Sequence, residues 1–352
     1  MVRRTKYKFD MKKVAVIGAG PSGITAIKNF KDQGFEVIAF ERCSGVGGNW
    51  RYNDPSGHSS VFETTHIISS KYTSYYEDFP LPENAADYPS HKELLEYFQA
   101  YTDHFDLDKN IKFNTEVVHC SQDNSHKWKV KWRELNDTQV LEEEFDALVV
   151  CNGHHHEPRY PNYPGKFSGE YLHSHEYKKA APFADKKVLV IGGGNSACDV
   201  AVETARISKT TALSWRRGYY LIPKFMFGLT SDIFALKARW IPRFLRLPFM
   251  KFMLELIQGK NEDIGLPKVT NHILATHPTV NSDLYNAVRH GKVKPKCDIE
   301  RFDGKTVYVQ DGTYEKFDAV IACTGYKIKH NYFDKEFINF EEGPVNLLHR
   351  ML

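Results

Sequence analysis

No stretch of this sequence approaches the roughly 18 unbroken apolar residues that a membrane span requires. Behind the basic start MVRRTKYKFDMKK, the apolar run is only VAVIG before glycines begin, too short for a secretory leader. Met11 offers a natural start, with the first ten residues an extension. Cysteine is scattered: Cys43, Cys120, Cys151, Cys198, Cys297 and Cys323 form no CxxC pair and no zinc spacing. That argues against a disulfide framework and fits reduced thiols in a cytoplasmic protein. Charge of one sign is missing too. A net charge of +3 over 352 residues, without a dense Lys/Arg block, gives no reason to expect nucleic acid. There is no obvious acid–base triad or carboxylate pair. What remains is a soluble globular chain, 41% hydrophobic, long enough for about two domains.

Glycine is placed with purpose. KKVAVIGAGPSG sets a β-branched strand before Gly18-x-Gly20-x-x-Gly23. In such a turn the first glycine bends the chain, the second lets backbone approach a pyrophosphate and the third lets helix and strand pack closely. The phosphate then rests on the helix N-terminus, here at Pro21 and Ser22. A second strand, FEVIAFE, ends in Glu41, where an acid bonds ribose hydroxyls, with Arg42 following. The pattern recurs as KKVLVIGGGNSA, giving Gly192-x-Gly194-x-x-Ala197 with Asn195 and Ser196 at the helix start. Its partner strand TTALSW leads instead into Arg216 and Arg217. An acid there would repel a 2′-phosphate, whereas a guanidinium binds it bidentately. The residues therefore assign FAD to the first turn and NADPH to the second.

A further echo supports two like-built units. FDALVVCNG (145–153) and FDAVIACTG (317–325) each read as a strand returning to its sheet and ending in a glycine beside a nucleotide, with Thr324 and Gly325 in the later copy. The predicted fold is α/β with two Rossmann-like dinucleotide-binding domains, the FAD domain discontinuous and the NADP domain inserted. The expected boundaries are 1–180 for the first part of the FAD domain and 181–300 for the NADP domain. A basic amphipathic segment at 220–265 lies within the latter, and 301–352 returns to the FAD domain. Two dinucleotides on one chain suggest hydride transfer between them. Disulfide reductases share this plan but need a redox cysteine pair, and only Cys43 lies near the first turn. Simple NADPH:acceptor oxidoreductases and flavin monooxygenases remain.

Between the two turns, KFSGEYLHSHEYK carries Phe167-x-Gly169-x-x-x-His173-x-x-x-Tyr177. With it the chain resembles the flavin-containing monooxygenases, class B enzymes, in a bacterial-type flavour. GVGGNWRY (45–52, with Gly48 and Trp50), YEDFPLP, CNGHHHEPRYP and WRRGYYLIPKF extend the resemblance over almost the whole chain. It implies that NADPH reduces FAD, that O2 adds as a C4a-hydroperoxyflavin, and that an amine or thioether takes the distal oxygen. Tyr177 resembles this group or the N-hydroxylating enzymes rather than the Baeyer–Villiger enzymes, which oxygenate ketones and remain the alternative. A nucleotide-binding or redox-sensing scaffold is the non-enzymatic alternative.

The resemblance places His173 on a segment crossing between domains, in a positioning role. At the position where the family carries a flavin-side Asn, this chain has Ile68, which forms no hydrogen bond; His66, Ser69 and Ser70 are the neighbours that could compensate. His154, His155 and His156 are expected to line the nucleotide crevice, because three adjacent histidines cannot easily face one ion; no metal is expected. Apolar residues alternate with Lys and Arg across 233–260, a segment that would serve as a membrane-surface contact, a channel cap or a homodimer face. Family members continue past the PVNLLHRML-like stretch with a segment closing over the flavin, so 301–352 is expected to lack it.

Overall fold

The computed structural model describes residues 13–273 and 278–339. Met11 and the PVNLLHRML stretch lie outside the described residues. The chain divides into two compact units. Unit 1 contains 13–59, 92–157 and 327–339, and unit 2 contains Ser60–His91 and Pro158–Tyr326.

Unit 1 begins with β1 (Lys13–Ile17), α1 (Pro21–Asp32) and β2 (Glu36–Phe40). After α2 (His91–His104) come β3 (Ile111–Lys112), β4 (Thr115–Gln122), β5 (Trp128–Glu134), β6 (Leu141–Phe145) and β7 (Ala147–Val150). Strands β3-β2-β1-β7 form one sheet, parallel throughout, with Val14 opposite Val37 on one side and Ala147 on the other. A strand covered on both faces has no polar side to show, which explains why β1 reads as an unbroken apolar run. Val14, Ala15 and Val16 are fully buried. Strands β4-β5-β6 make an antiparallel sheet whose apolar face joins Val130, Trp132 and Phe145 to Phe40 of the parallel sheet. Its other face carries half-exposed pairs such as Lys129–Glu144 and Lys131–Glu142, which add little stability.

Unit 2 repeats the plan. It contains β8 (Gly165–Phe167), β9 (Glu170–His173), β10 (Lys187–Ile191), α3 (Asn195–Thr204), β11 (Thr210–Ser214) and β12 (Leu221–Ile222). Next come β13 (Phe225–Met226), β14 (Leu229–Thr230), α4 (Ser231–Lys237), α5 (Arg243–Gln258), β15 (Thr279–Val280) and α6 (Asp283–Arg289). It closes with β16 (Val293–Lys296), β17 (Ile299–Gly304), β18 (Thr306–Val309), β19 (Tyr314–Lys316) and β20 (Ala319–Ala322). The main sheet, β16-β11-β10-β20-β9, is again parallel. Strands β19-β18-β17-β8 form a second, mixed sheet.

The two echoed segments do the same job in the two units. Asp146 accepts from the Lys13 amide and Asp318 from the Lys187 amide, at 2.8 and 3.1 Å. The amides of Cys151 and Cys323 then bond the carbonyls of Ile17 and Ile191. Each echo therefore supplies the strand paired directly with the one that leads into the glycine turn, and this sets its sequence. The structure differs from the sequence expectation on where the chain changes unit. Residues 301–326 belong to unit 2 with the second turn, and the return to unit 1 comes at 326/327 instead of 300/301. The reason is physical: β20 pairs with β10, so the echo cannot leave before its strand is complete. Likewise 158–180 lies in unit 2, because β9 is an edge strand of the second sheet. Among the described residues no helix is long and apolar enough to cross a membrane.

Candidate functional site

Each parallel sheet ends in a glycine turn whose backbone is tightly enclosed. Gly18 (φ +96°) donates its amide to the Phe40 carbonyl, and a Cβ there would stand 2.6 Å from the Cys151 oxygen. Gly192 (φ +138°) donates to Ser214, and a Cβ would stand 2.3 Å from the Cys323 oxygen. In each turn the N-cap glycine, Gly20 or Gly194, is extended, with no side-chain cap and no acid in the helix's first turn. The N–H groups at the starts of α1 and α3 therefore meet no competing anion from their own helix. That is a fit for two phosphate-bearing nucleotides.

The surroundings of the turns differ. In unit 1, Glu41 is buried at the end of β2 and its two oxygens accept from the Ala19 and Cys43 amides at 2.6 and 2.7 Å. Burial raises its pKa, and those two N–H groups oppose the rise. The carboxylate is held against the turn itself, with lone pairs left for hydroxyl donors. Gly48, also buried, comes close to Gly20: a Cβ on Gly48 would lie 3.2 Å from the Gly20 Cα. Trp50, half-buried, follows in the same short helical turn, while Arg42 is exposed. Pro21 and Ser22 open α1, and Gly23 faces the Gly18 carbonyl at a distance no side chain could tolerate.

In unit 2, Arg216 and Arg217 are exposed just past β11. Arg217 donates to the Tyr219 hydroxyl at 2.8 Å, and the Tyr219 ring covers Gly193, where a Cβ would lie 2.7 Å from it. Ser196 is exposed and Ala197 is buried against Gly192. Asn195 behaves otherwise than expected. Its amide group is engaged by the chain, donating to the Pro278 carbonyl at 3.0 Å and accepting from the Val280 amide at 2.7 Å.

Phe167, Gly169, His173 and Tyr177 all lie in unit 2, not on a crossing between units. Gly169 is demanded by close approach: a Cβ would meet the Asp318 oxygen at 2.6 Å and the Phe167 ring at 2.7 Å. Tyr177 is a core residue between Phe62 and Phe183. His173 ends β9, fully buried, with the edges of Tyr160 and Tyr326 against it. Its Nδ1 accepts from the His175 amide at 3.1 Å, which puts the proton on Nε2. Among the described residues that N–H makes no hydrogen bond of good geometry, although the Gly325 backbone lies near enough to act on the ring. Burial lowers the pKa to about 4, and the Gly325 backbone offsets only part of this. Thr324 and Gly325 sit beside it, tied to Arg159 through Thr324 Oγ1 and the Arg159 amide.

His66, Ile68 and Ser70 lie together on an irregular segment of unit 2. His66 is exposed, with Nδ1 2.8 Å from the Thr64 oxygen, and Ile68 is half-buried. Ser70 is fully buried, and its amide donates to Asp232 at 2.7 Å. Thr73 also donates to Asp232, at 2.6 Å, and these bonds hold the carboxyl at about 2 despite its burial. Asp232 was not legible as a partner because it lies 162 residues away. In unit 1, His154 and His155 pack edge to face, and His156 stacks on His58. No group of His, Cys, Asp or Glu among the described residues is arranged to hold a metal. The described cysteines are all free, and burial pushes the Cys43 thiol up to about 12. That makes it a poor redox nucleophile.

A family model described as flavin-binding monooxygenase-like matches residues 11–352. The chain belongs to that family. A rabbit (Oryctolagus cuniculus) dimethylaniline monooxygenase [N-oxide-forming] 2 is 33% identical over 96% of this chain. The rat (Rattus norvegicus) flavin-containing monooxygenase 5 is 35% identical over the same share. The match spans 65% and 66% of those relatives' own lengths, just under two thirds. Among solved structures, the S-allyl-L-cysteine S-oxygenase of Allium sativum superposes with a TM-score of 0.67 at 25% identity, covering 93% of this chain and 65% of that one. The two-unit Rossmann-type architecture is thus shared with the family.

Proposed function

We propose that this chain carries the nucleotide-binding machinery of an FAD- and NADPH-dependent monooxygenase that oxygenates soft nucleophiles, amines and thioethers. One observation carries the reading: two like-built glycine turns have opposite partners, a buried carboxylate in unit 1 and a pair of exposed guanidinium groups in unit 2. Unit 1 then takes FAD through Gly18, Gly20, Pro21, Ser22, Gly23, Glu41, Arg42, Gly48 and Trp50. Unit 2 takes NADPH through Gly192, Gly194, the backbone N–H of Asn195, Ser196, Ala197, Arg216, Arg217, Thr324 and Gly325. When bound, these groups supply hydride donation and O2 activation. The protein's residues orient and shield. Glu41 meets ribose hydroxyls while bracing the turn, the arginines meet a 2′-phosphate, and His173 offers a neutral N–H donor in a dry setting. The names of the relatives, N-oxide-forming and S-oxygenase, agree with this substrate class.

Ketone oxygenation of the Baeyer–Villiger type is the second reading, favoured by half-buried Ile68 where the family pattern has a hydrogen-bonding side chain. A product assay with NADPH, one thioether and one cyclic ketone separates the two. Sulfoxide is expected; lactone in its place would establish the second reading. Hydrogen peroxide as the sole product would overturn both and leave a nucleotide-binding scaffold.

We infer that α4 and α5 form a contact surface. Met250 and Leu254 are buried on one face of α5, while Leu245, Phe249, Phe252 and Leu256 run exposed along the opposite face at helical spacing. Trp240, 81% exposed, and Phe244, 74% exposed, extend the stripe. Lys237, Arg239, Arg243, Arg246 and Lys251 accompany it, which suits weak peripheral contact with an anionic lipid surface. Co-sedimentation with phosphatidylserine vesicles, lost in high salt and absent with neutral vesicles, is expected. A salt-insensitive dimer that binds no vesicles would assign the face to a second copy instead.

A further inference from the structure

The arginine-bearing turn of unit 2 is not fixed by its own neighbours alone. From Arg217 the chain passes through Tyr219, whose ring lies on Gly193, into β12. Strand β12 pairs with β15, Leu221 opposite Thr279 and Ile222 opposite Val280. The segment containing β15 is clasped by α3, the helix that opens the second glycine turn. Asn195, its first residue, bonds the backbone of Pro278 and Val280. One turn later, Asp199 Oδ1 accepts from Asn281 Nδ2 at 2.7 Å. Buried Asn281 also uses its Oδ1 to accept from the Asp283 and Leu284 amides at 2.9 and 2.7 Å, so it caps α6. A closed mechanical path results: α3 to the 278–281 segment, that segment to β12, and β12 through Tyr219 to Arg217.

We propose that the Asp199–Asn281 pair is a latch that positions Arg217 against the α3 N-terminus and so sets the preference of unit 2 for a 2′-phosphorylated nucleotide. These are positioning residues; neither meets the ligand. The inference rests on the reading that unit 2 takes NADPH. A guanidinium discriminates by geometry, because a fork that misses the phosphate oxygens loses its bidentate bonds while the rest of the nucleotide, shared by NAD, still binds. Loosening the latch therefore weakens NADP+ much more than NAD+.

The chemistry of the pair supplies its own control. Asn281→Asp keeps an oxygen acceptor for the α6 amides but faces Asp199 with a second carboxyl. Well above neutral pH, where both are ionised, the two repel and the latch opens without uncapping the helix, so binding is measured there. Asp199→Asn keeps an acceptor. The double variant Asn281→Asp/Asp199→Asn restores a donor and an acceptor with their places exchanged. Equilibrium binding of NADP+ and NAD+ to the FAD-loaded full chain is measured by calorimetry for all four proteins, alongside thermal unfolding. In wild type NADP+ is expected to bind more tightly than NAD+. Asn281→Asp is expected to lower the NADP+:NAD+ affinity ratio about tenfold, the scale of one charged hydrogen bond. The double variant is expected to recover most of the ratio. An unchanged ratio in Asn281→Asp, or an equal loss for both nucleotides with no recovery in the double variant, overturns the latch. Wild-type protein that prefers neither nucleotide would instead overturn the assignment of unit 2 itself.

Discussion

Gly18→Ala is expected to yield protein without bound flavin, whereas Gly192→Ala is expected to keep its flavin and lose NADP+ affinity by at least about 100-fold. Both substitutions place a methyl group on a backbone held at positive φ, a region that L-residues rarely adopt. Both aim that methyl at a carbonyl oxygen, 2.6 Å away for Gly18 and 2.3 Å for Gly192. The obstructing group is a backbone carbonyl just past β7 or β20, which cannot swing aside as a side chain can. Either the turn or the strand must move, and the helix N-terminus moves with it. A displacement costing about 3 kcal/mol already corresponds to two orders of magnitude in affinity. The opposite assignment of losses is the informative part. Flavin absorbance per polypeptide and NADP+ calorimetry on both variants check it; flavin lost from Gly192→Ala and kept by Gly18→Ala would reverse the roles of the two units.

Acid destabilisation through His173 is the second large effect. The folded pKa is about 4 and the unfolded value about 6.5, so between these limits the unfolded chain binds more protons than the native one. Stability is fully present above pH 6.5 and is lost as pH falls towards 4. Integrated over that window, the loss from this one group is roughly 3 kcal/mol. His173→Gln removes the titration while leaving a polar side chain. Urea unfolding at pH 7 and pH 4.5 should show a pH-dependent loss in wild type that is smaller in the variant by more than about 2 kcal/mol. Parallel pH profiles for the two proteins would mean that His173 is not the neutral, buried group described.

The parts of this protein legible in its sequence are those where local rules are strict. A parallel strand covered on both faces must read as VAVI or VLVI, and a turn whose glycine lies under a carbonyl admits no other residue. The echo of FDALVVC in FDAVIAC was legible for the same reason, since Asp, strand and Cys each make the same backbone bonds in both units. The compact units divide the chain at other residues than the sequence suggests because strand order, not sequence order, decides where the chain may leave. Strand β9 reads as a linker until its pairing with β20 is seen. Asn195 was read as a ligand contact from its place after Gly194; the hold of its side chain on the 278–280 backbone was not legible, since 83 residues separate Asn195 from Pro278. Asp232 and Asn281 carried no signal, because each acts on a segment brought to it only by tertiary structure; Tyr219 stood within WRRGYYLIPKF, but its contact with Gly193 did not show there.

The central claim is that a chain with these two turns places one atom of O2 on a soft nucleophile at the expense of NADPH. The direct measurement is incubation of the FAD-loaded protein with NADPH, a dialkyl thioether and ¹⁸O₂, followed by mass spectrometry of the product and assay of peroxide. A sulfoxide carrying a single ¹⁸O is expected, in close to one-to-one ratio with NADPH consumed. NADPH consumption with unlabelled thioether recovered intact and peroxide accounting for all the oxygen would contradict it.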